Sequence, residues 1–380
     1  TVVLTAFMVG LAIGSALWVR RVDKLSRPLV LYGILELYIG AYCLLYPWII
    51  SLVKDAFFQT VTSLALPSDG AAVLLLKLFA SMITLLPPTI LMGGTLPILV
   101  KTVSASVEES GRSVAVLYFL NSFGAVIGSI LCGFFFIRIF GLSTTMVASA
   151  VANLIIGFSA IVLSRKITKM GNTLDGEGTT IKRIFTKREI VIAIGVAGIS
   201  GMAAMIYEVS WVRLLIPVFG SSTSSFSLML IAFISGITIG SWIVSKKLHR
   251  IRNLFSFLML CQFGVVFGLL VSLPLYDRIP YIFWHVSMLL SKTQATYPIF
   301  LSIEFTLCFL IMIIPTIFMG MTLPIASRIA TQSIEKLGSS VGNVFSINTF
   351  GTVAGSLIAG LILIPSIGIR HAFEAGIVLN

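Results

Sequence analysis

Charged and aromatic residues stranded inside apolar stretches are where this chain could do chemistry. Glu208 lies beside Tyr207 and close to Trp211. Positions 207 and 211 are four apart, so they share a helix face. A carboxylate next to aromatic rings attracts cationic amines by charge and by cation–π contact. The same trio also suits a membrane-interface anchor in an aromatic belt. Glu208 comes about 18 residues into its apolar run, roughly 27 Å of helix, which places it near the outer interface. Lys77 and Glu304 form a second pair. Intramembrane charges are costly and mark functional sites. Either these two face one another across a central cavity, as a gate or substrate contact, or each snorkels separately to the outer interface. Glu36, Gln262, Asn121 and Asn348 read as interhelical hydrogen-bonding groups. No catalytic residue and no metal ligand set stands out. The three histidines have no clustered partners, and Cys43, Cys132, Cys261 and Cys308 lie in apolar runs without CxxC spacing, as packing thiols do.

The elements that position these residues are membrane spans. Hydrophobic residues make up 57% of the chain and charged ones 11%, with a mean hydropathy of +1.06. A soluble domain carries roughly 25% charged residues. The net charge of +12 does not indicate nucleic acid, because the basic residues cluster in short connections between apolar runs. Runs near the ~20 residues that a bilayer takes lie at Leu29–Val53, Ala71–Met92, Val114–Ile137, Leu142–Leu163, Ile190–Ile216, Ser224–Val244, Leu254–Leu273, Pro298–Met319 and Val341–Ile364, with a last run from Ile367.

The chain also repeats itself. Pro88-Thr-Ile-Leu-Met-Gly-Gly-Thr-Leu-Pro97 recurs as Pro315-Thr-Ile-Phe-Met-Gly-Met-Thr-Leu-Pro324, at an offset of 227. Asn121, Gly124, Gly128 and Gly141 fall on Asn348, Gly351, Gly355 and Gly368 at that offset, and Gly10 and Gly14 on Gly236 and Gly240 at 226. So long a period marks two homologous halves. The expected organisation is all-α and polytopic, two parallel six-helix repeats of major-facilitator-like form. Residues 1–164 are the first half, lacking a counterpart of the first helix of the second half; 165–189 are a cytoplasmic linker; 190–380 are the second half, its last helix incomplete. Alternate connections hold 19 of the 26 Lys and Arg, which makes that face cytoplasmic.

The pairs Gly10/Gly14, Gly124/Gly128, Gly236/Gly240 and Gly351/Gly355 have GxxxG spacing and read as packing faces. The helices that carry them are expected to form the seam between halves. Pro88/Pro97 and Pro315/Pro324 bracket Met-Gly dipeptides. Proline removes a donor and disfavours helix before it, so each bracket is expected to end or break its span.

Tyr207-Glu-Val-Ser-Trp-Val-Arg-Leu-Leu215, followed by Phe219-Gly-Ser-Ser222, Phe226-Ser227 and Gly236…Gly240-Ser241, resembles the membrane part of the fused major-facilitator/spermidine synthase proteins. The paired PT-x-x-MG-x-TLP segments and N-x-x-G-x-x-x-G helices match the same family. Gly10 to Arg27 is similar to the basic loop after the second helix of major facilitators. The resemblance implies a multi-pass protein of the bacterial inner membrane that anchors, and moves a polyamine or related substrate for, a cytoplasmic aminopropyltransferase module using decarboxylated S-adenosylmethionine. These 380 residues hold no such module and no cofactor site. A stand-alone permease for a small cationic solute, or a structural subunit bound to other subunits of a membrane complex, are the alternatives.

Overall fold

The computed structural model describes residues 2–67, 70–104, 107–171, 185–220, 223–289, 293, 296–333 and 336–380, and all regular structure among them is helical. In the first half α1 spans Val2–Val22, α2 Pro28–Ser63 and α3 Ala71–Val103. The next helix, α4, spans Val107–Ile130 and passes through a π-helical turn, Leu131–Phe136, into α5, Ile137–Gly171. The second half holds α6 Lys187–Phe219, α7 Thr223–Lys247, α8 Leu254–Tyr276, a short α9 Ile279–Leu289 and α10 Tyr297–Ala330. It ends with α11 Leu337–Leu357, a second π-helical turn, Ile358–Leu363, and α12 Ile364–Leu379. Residues 172–184, the middle of the expected linker, lie outside the described residues.

Eight helical stretches among the described residues are long and apolar enough to cross a bilayer. Gly111–Arg165, at 55 residues, is more than twice the ~20 that one crossing takes. It kinks at Gly141, as Leu337–Leu379 does at Gly368; φ is 77° and 82° there, a region open to glycine. Large apolar side chains such as Trp48, Phe79, Phe158 and Phe263 point outward, as they do toward lipid.

Packing repeats across the halves. Within them α1 lies on α3 and α7 on α10. A Cβ on Gly14 would collide with the Ile90 carbonyl, and one on Gly240 with the equivalent Ile317 carbonyl. Gly10 faces Thr89 and Gly236 faces Thr316 in the same way. Gly351 and Gly355 seat α11 against the backbone of α6 at Gly198 and Met202, beside the bond from Asn348 Nδ2 to the Ala197 carbonyl, 2.8 Å. Asn121 is exposed, and nothing lies within 4 Å of a Cβ at Gly124 or Gly128. Between the halves α1 lies on α11 and α4 on α7. The helices that carry these pairs therefore meet at the seam, but the packed glycines of the pairs face helices of their own half; across the seam it is Gly338 and Gly342 of α11 that face Val22 and Val19 of α1.

One expectation fails outright. Pro88 and Pro97 do not break α3, and Pro315 and Pro324 do not break α10; both helices run through. Proline frees the carbonyl four residues back. For Pro88 that carbonyl is Thr84, and the Tyr42 hydroxyl from α2 donates to it at 2.9 Å. Thr89 and Thr316 hydroxyls bond carbonyls of the turns before them, Leu85 and Met312, each at 2.6 Å. At Pro88 a side-chain donor thus replaces the missing N–H, as in membrane helices that tolerate proline; the carbonyl that Pro315 frees is Ile311, and Thr316 bonds Met312 and Ile313 instead.

The seam is tied at its basic end. Both carboxylate oxygens of Asp23, just past α1, accept from the first N–H groups of α11: Gly338 and Ser339, each at 3.0 Å. Lys101 Nζ lies 3.7 Å from Asp23. Leu96, Val100, Val114, Leu337 and Val341 form an apolar cluster across the same junction. Farther along, Thr5 and Ser356 hydroxyls bond at 3.1 Å.

Candidate functional site

Helix α6 begins with a capping box. The Thr186 hydroxyl accepts from the Glu189 N–H, and the Glu189 carboxylate accepts from the Thr186 N–H at 2.7 Å. From there one face of α6 enters the core of the second half. Tyr207 and Trp211 are fully buried, with ring centroids 6.2 Å apart. Phe373 of α12 stacks on Tyr207 at 6.3 Å and meets Trp211 edge-on at 5.7 Å. Both rings are enclosed by helices of the protein and do not face outward, as rings of an aromatic belt would.

A directional chain of hydrogen bonds holds the indole. Ser272 donates to the Leu269 carbonyl at 3.1 Å, which uses its one hydrogen. Tyr276 OH therefore donates to Ser272 Oγ at 2.9 Å, and Trp211 Nε1 donates to Tyr276 OH at 2.9 Å. Such chains polarise along their length and fix ring orientation.

Glu208 turns the other way. It is half-buried and lines a narrow pocket with Trp211, Phe226, Met229, Phe233 and Met312. These residues come from α6, α7 and α10. Glu208 forms no ion pair among the described residues. Arg213 is exposed on α6 and does not pair with it. Of the trio singled out in the sequence, Glu208 and Trp211 share the pocket. Tyr207 does not; its hydroxyl is buried without a hydrogen-bond partner among the described residues. The contributions of α7, Phe226, Met229 and Phe233, were not foreseen. They recur at three- and four-residue spacing, like any packed face.

Lys77 and Glu304 are not brought together. Lys77 is exposed on α3, which packs on α1 and α2; Glu304 is buried on α10, which packs on α7 and α8. No ion pair joins them. Equal repeat position did not make a facing pair, because the two helices sit in different halves on different neighbours. Glu304 is 1% exposed, and its Oε2 has no hydrogen-bond partner among the described residues. Gln262 Nε2 donates to Thr322 Oγ1 at 3.0 Å, joining α8 to α10. Among the described residues no group of His, Cys, Asp and Glu is arranged to hold a metal ion.

Known proteins give one kind of likeness. No family model matches the chain, and no curated protein matches it. Among solved structures, the chain is similar to the crystal structure of the human organic anion transporter MFSD10 (TETRAN), with a TM-score of 0.51 and 12% identity. That match covers 100% of this chain and 96% of the transporter. At that identity the likeness speaks to the fold: an all-helical, multi-pass, major-facilitator-like membrane architecture.

Proposed function

We propose that this chain is the membrane body of a transporter that takes a small organic cation, a polyamine or related amine, at the Glu208 pocket. The observation that carries the reading is Glu208 itself: a half-buried carboxylate without an ion-pair partner among the described residues, set against an indole held in place by Tyr276 and Ser272. In a partly desolvated site a carboxylate holds an ammonium by charge-assisted hydrogen bonding, worth about 1.5–3 kcal/mol. The Trp211 face adds cation–π attraction. MFSD10 is an organic anion transporter. An anion would be repelled by Glu208, so the reading for this chain is a cation.

The resemblance of Tyr207–Leu215 to the fused spermidine synthases supports the finer version, in which the amine is a polyamine handled for an aminopropyltransferase module. The test is uptake of radiolabelled spermidine into liposomes holding the purified protein, beside a labelled aromatic carboxylate. Spermidine uptake that falls about tenfold or more in Glu208→Gln, with the melting temperature unchanged, supports the proposal. Uptake of the carboxylate alone, or spermidine uptake indifferent to Glu208→Gln, rejects it.

A further inference from the structure

At 11 residues helix α9 is about 16 Å long, roughly half of a bilayer crossing, although its sequence is mostly apolar. Its side chains divide by face. Ile279 and Phe283, four apart, are 2% and 9% exposed, whereas Tyr281, Trp284 and Met288 are 65%, 53% and 66% exposed. A helix turns about 100° per residue, so the two stripes lie roughly 150° apart, on opposite sides. The inner stripe fixes the level of α9. The Phe283 ring meets Phe219, the last residue of α6, at 4.9 Å and Phe300, in the first turn of α10, at 5.1 Å. The middle of α9 therefore lies beside the ends of those helices and does not stand out beyond them.

The outer stripe lies on a boundary. On α8, Phe263, Phe267, Leu270 and Val271 are exposed and apolar, as toward lipid. Just past them the surface is charged: Arg370 of α12 lies 3.5 Å from Asp277 and 3.4 Å from Glu374, all three exposed. Helix α9 begins two residues after Asp277, and α10 resumes the apolar band with exposed Tyr297 and Ile299. This boundary is opposite the basic connections, because α8 starts just after Lys246, Lys247, Arg250 and Arg252 and crosses once. Tyrosine and tryptophan have an apolar body and a polar tip, which suits them to the headgroup level of a bilayer. His285 lies beside the stripe: it stacks on Tyr281 at 4.0 Å, and its Nδ1 donates to the Tyr281 carbonyl at 3.1 Å.

We infer that α9 is an in-plane membrane anchor. Its Tyr281–Trp284–Met288 face seats among the phospholipid headgroups of the leaflet opposite the basic connections. The rings of Tyr281 and Trp284 stand at the level of the ester and phosphate oxygens, and Met288 reaches the first methylenes of the acyl chains. The exposed apolar band of α8 leads into this face, and that continuity makes the occupant lipid. Water over the face would leave three large apolar groups unburied on one stripe. The anchor does not depend on what the Glu208 pocket binds.

Fluorescence quenching of the full chain in bilayers tests this. The chain has five tryptophans, so the wild-type signal minus that of Trp284→Phe isolates Trp284. With phospholipid brominated near the ester end of its acyl chains, Trp284 emission should fall about twofold or more. Bromine at the chain ends, and iodide in the water, should each quench it less. Stronger quenching by iodide puts the face in water and overturns the anchor. Stronger quenching from the chain ends puts it in the hydrocarbon core and does the same. No quenching by any of the three means that protein, such as a second copy of the chain, covers the face, which also overturns the inference. If Trp284→Phe fails to fold, a nitroxide at Met288→Cys, with the four native cysteines replaced, reads the depth by its access to oxygen against an aqueous nickel chelate. A depth at the headgroups supports the anchor; a label in water or deep in the acyl chains overturns it.

Discussion

Replacing Asp23 by Asn should loosen the basic end of the seam. The carboxylate accepts from two N–H groups of α11 at 3.0 Å each, while its side chain is only 18% exposed. Asn keeps one acceptor oxygen and loses the other together with the charge. Losing a cap-type hydrogen bond costs about 1 kcal/mol. Losing a negative charge at a partly buried helix N-terminus costs about another 1 kcal/mol. The Lys101 contact, at 3.7 Å, contributes less than about 1 kcal/mol. A total near 2 kcal/mol changes the ratio of open to closed seam about 30-fold. Spin labels at Ser26→Cys and Lys336→Cys, both exposed, would report the ratio by pulsed dipolar distances, with the four native cysteines replaced. A longer-distance population should rise in Asp23→Asn and barely change in Lys101→Ala. An unchanged distance distribution in Asp23→Asn, or an equal effect of Lys101→Ala, would refute the assignment of the hold to the two backbone bonds.

Tyr42→Phe should lower stability by about 1 kcal/mol, because it strips the donor from the Thr84 carbonyl that Pro88 leaves free. In a Pro88→Ala background the same change should cost close to nothing, and a double-mutant cycle by thermal melting checks it. Gly240→Ala should destabilise by at least about 2 kcal/mol, since its methyl meets the Ile317 carbonyl. Gly195→Ala, in the third turn of α6 with nothing within 4 Å, should instead gain about 1 kcal/mol from helix propensity; parallel denaturation of the two variants compares them.

What the sequence revealed was whatever its period carried. The offset of 227 announced equivalent helices, and small residues at equivalent places in α1 and α7 do pack alike on α3 and α10. What it concealed depended on residues far away in the chain. Pro88 looked like a break because its compensation is Tyr42, on another helix. Tyr207 and Trp211 looked like interface anchors because Phe373, over 160 residues on, gives no local sign that it covers them. Lys77 and Glu304 share a repeat position but not an environment. Glu208 was legible as a charge out of place; the α7 wall beside it was not, since an apolar residue among apolar residues carries no signal.

The unbroken course of α3 and α10 also makes them levers. At 33 and 34 residues each is about 50 Å long. A rod of that length tilted by about 5° around its midpoint carries its ends about 2 Å in opposite directions. A helix broken at Pro88 or Pro315 would absorb the tilt at the joint. With both helices continuous through their prolines, a push at the basic end of either rod is carried to the other end.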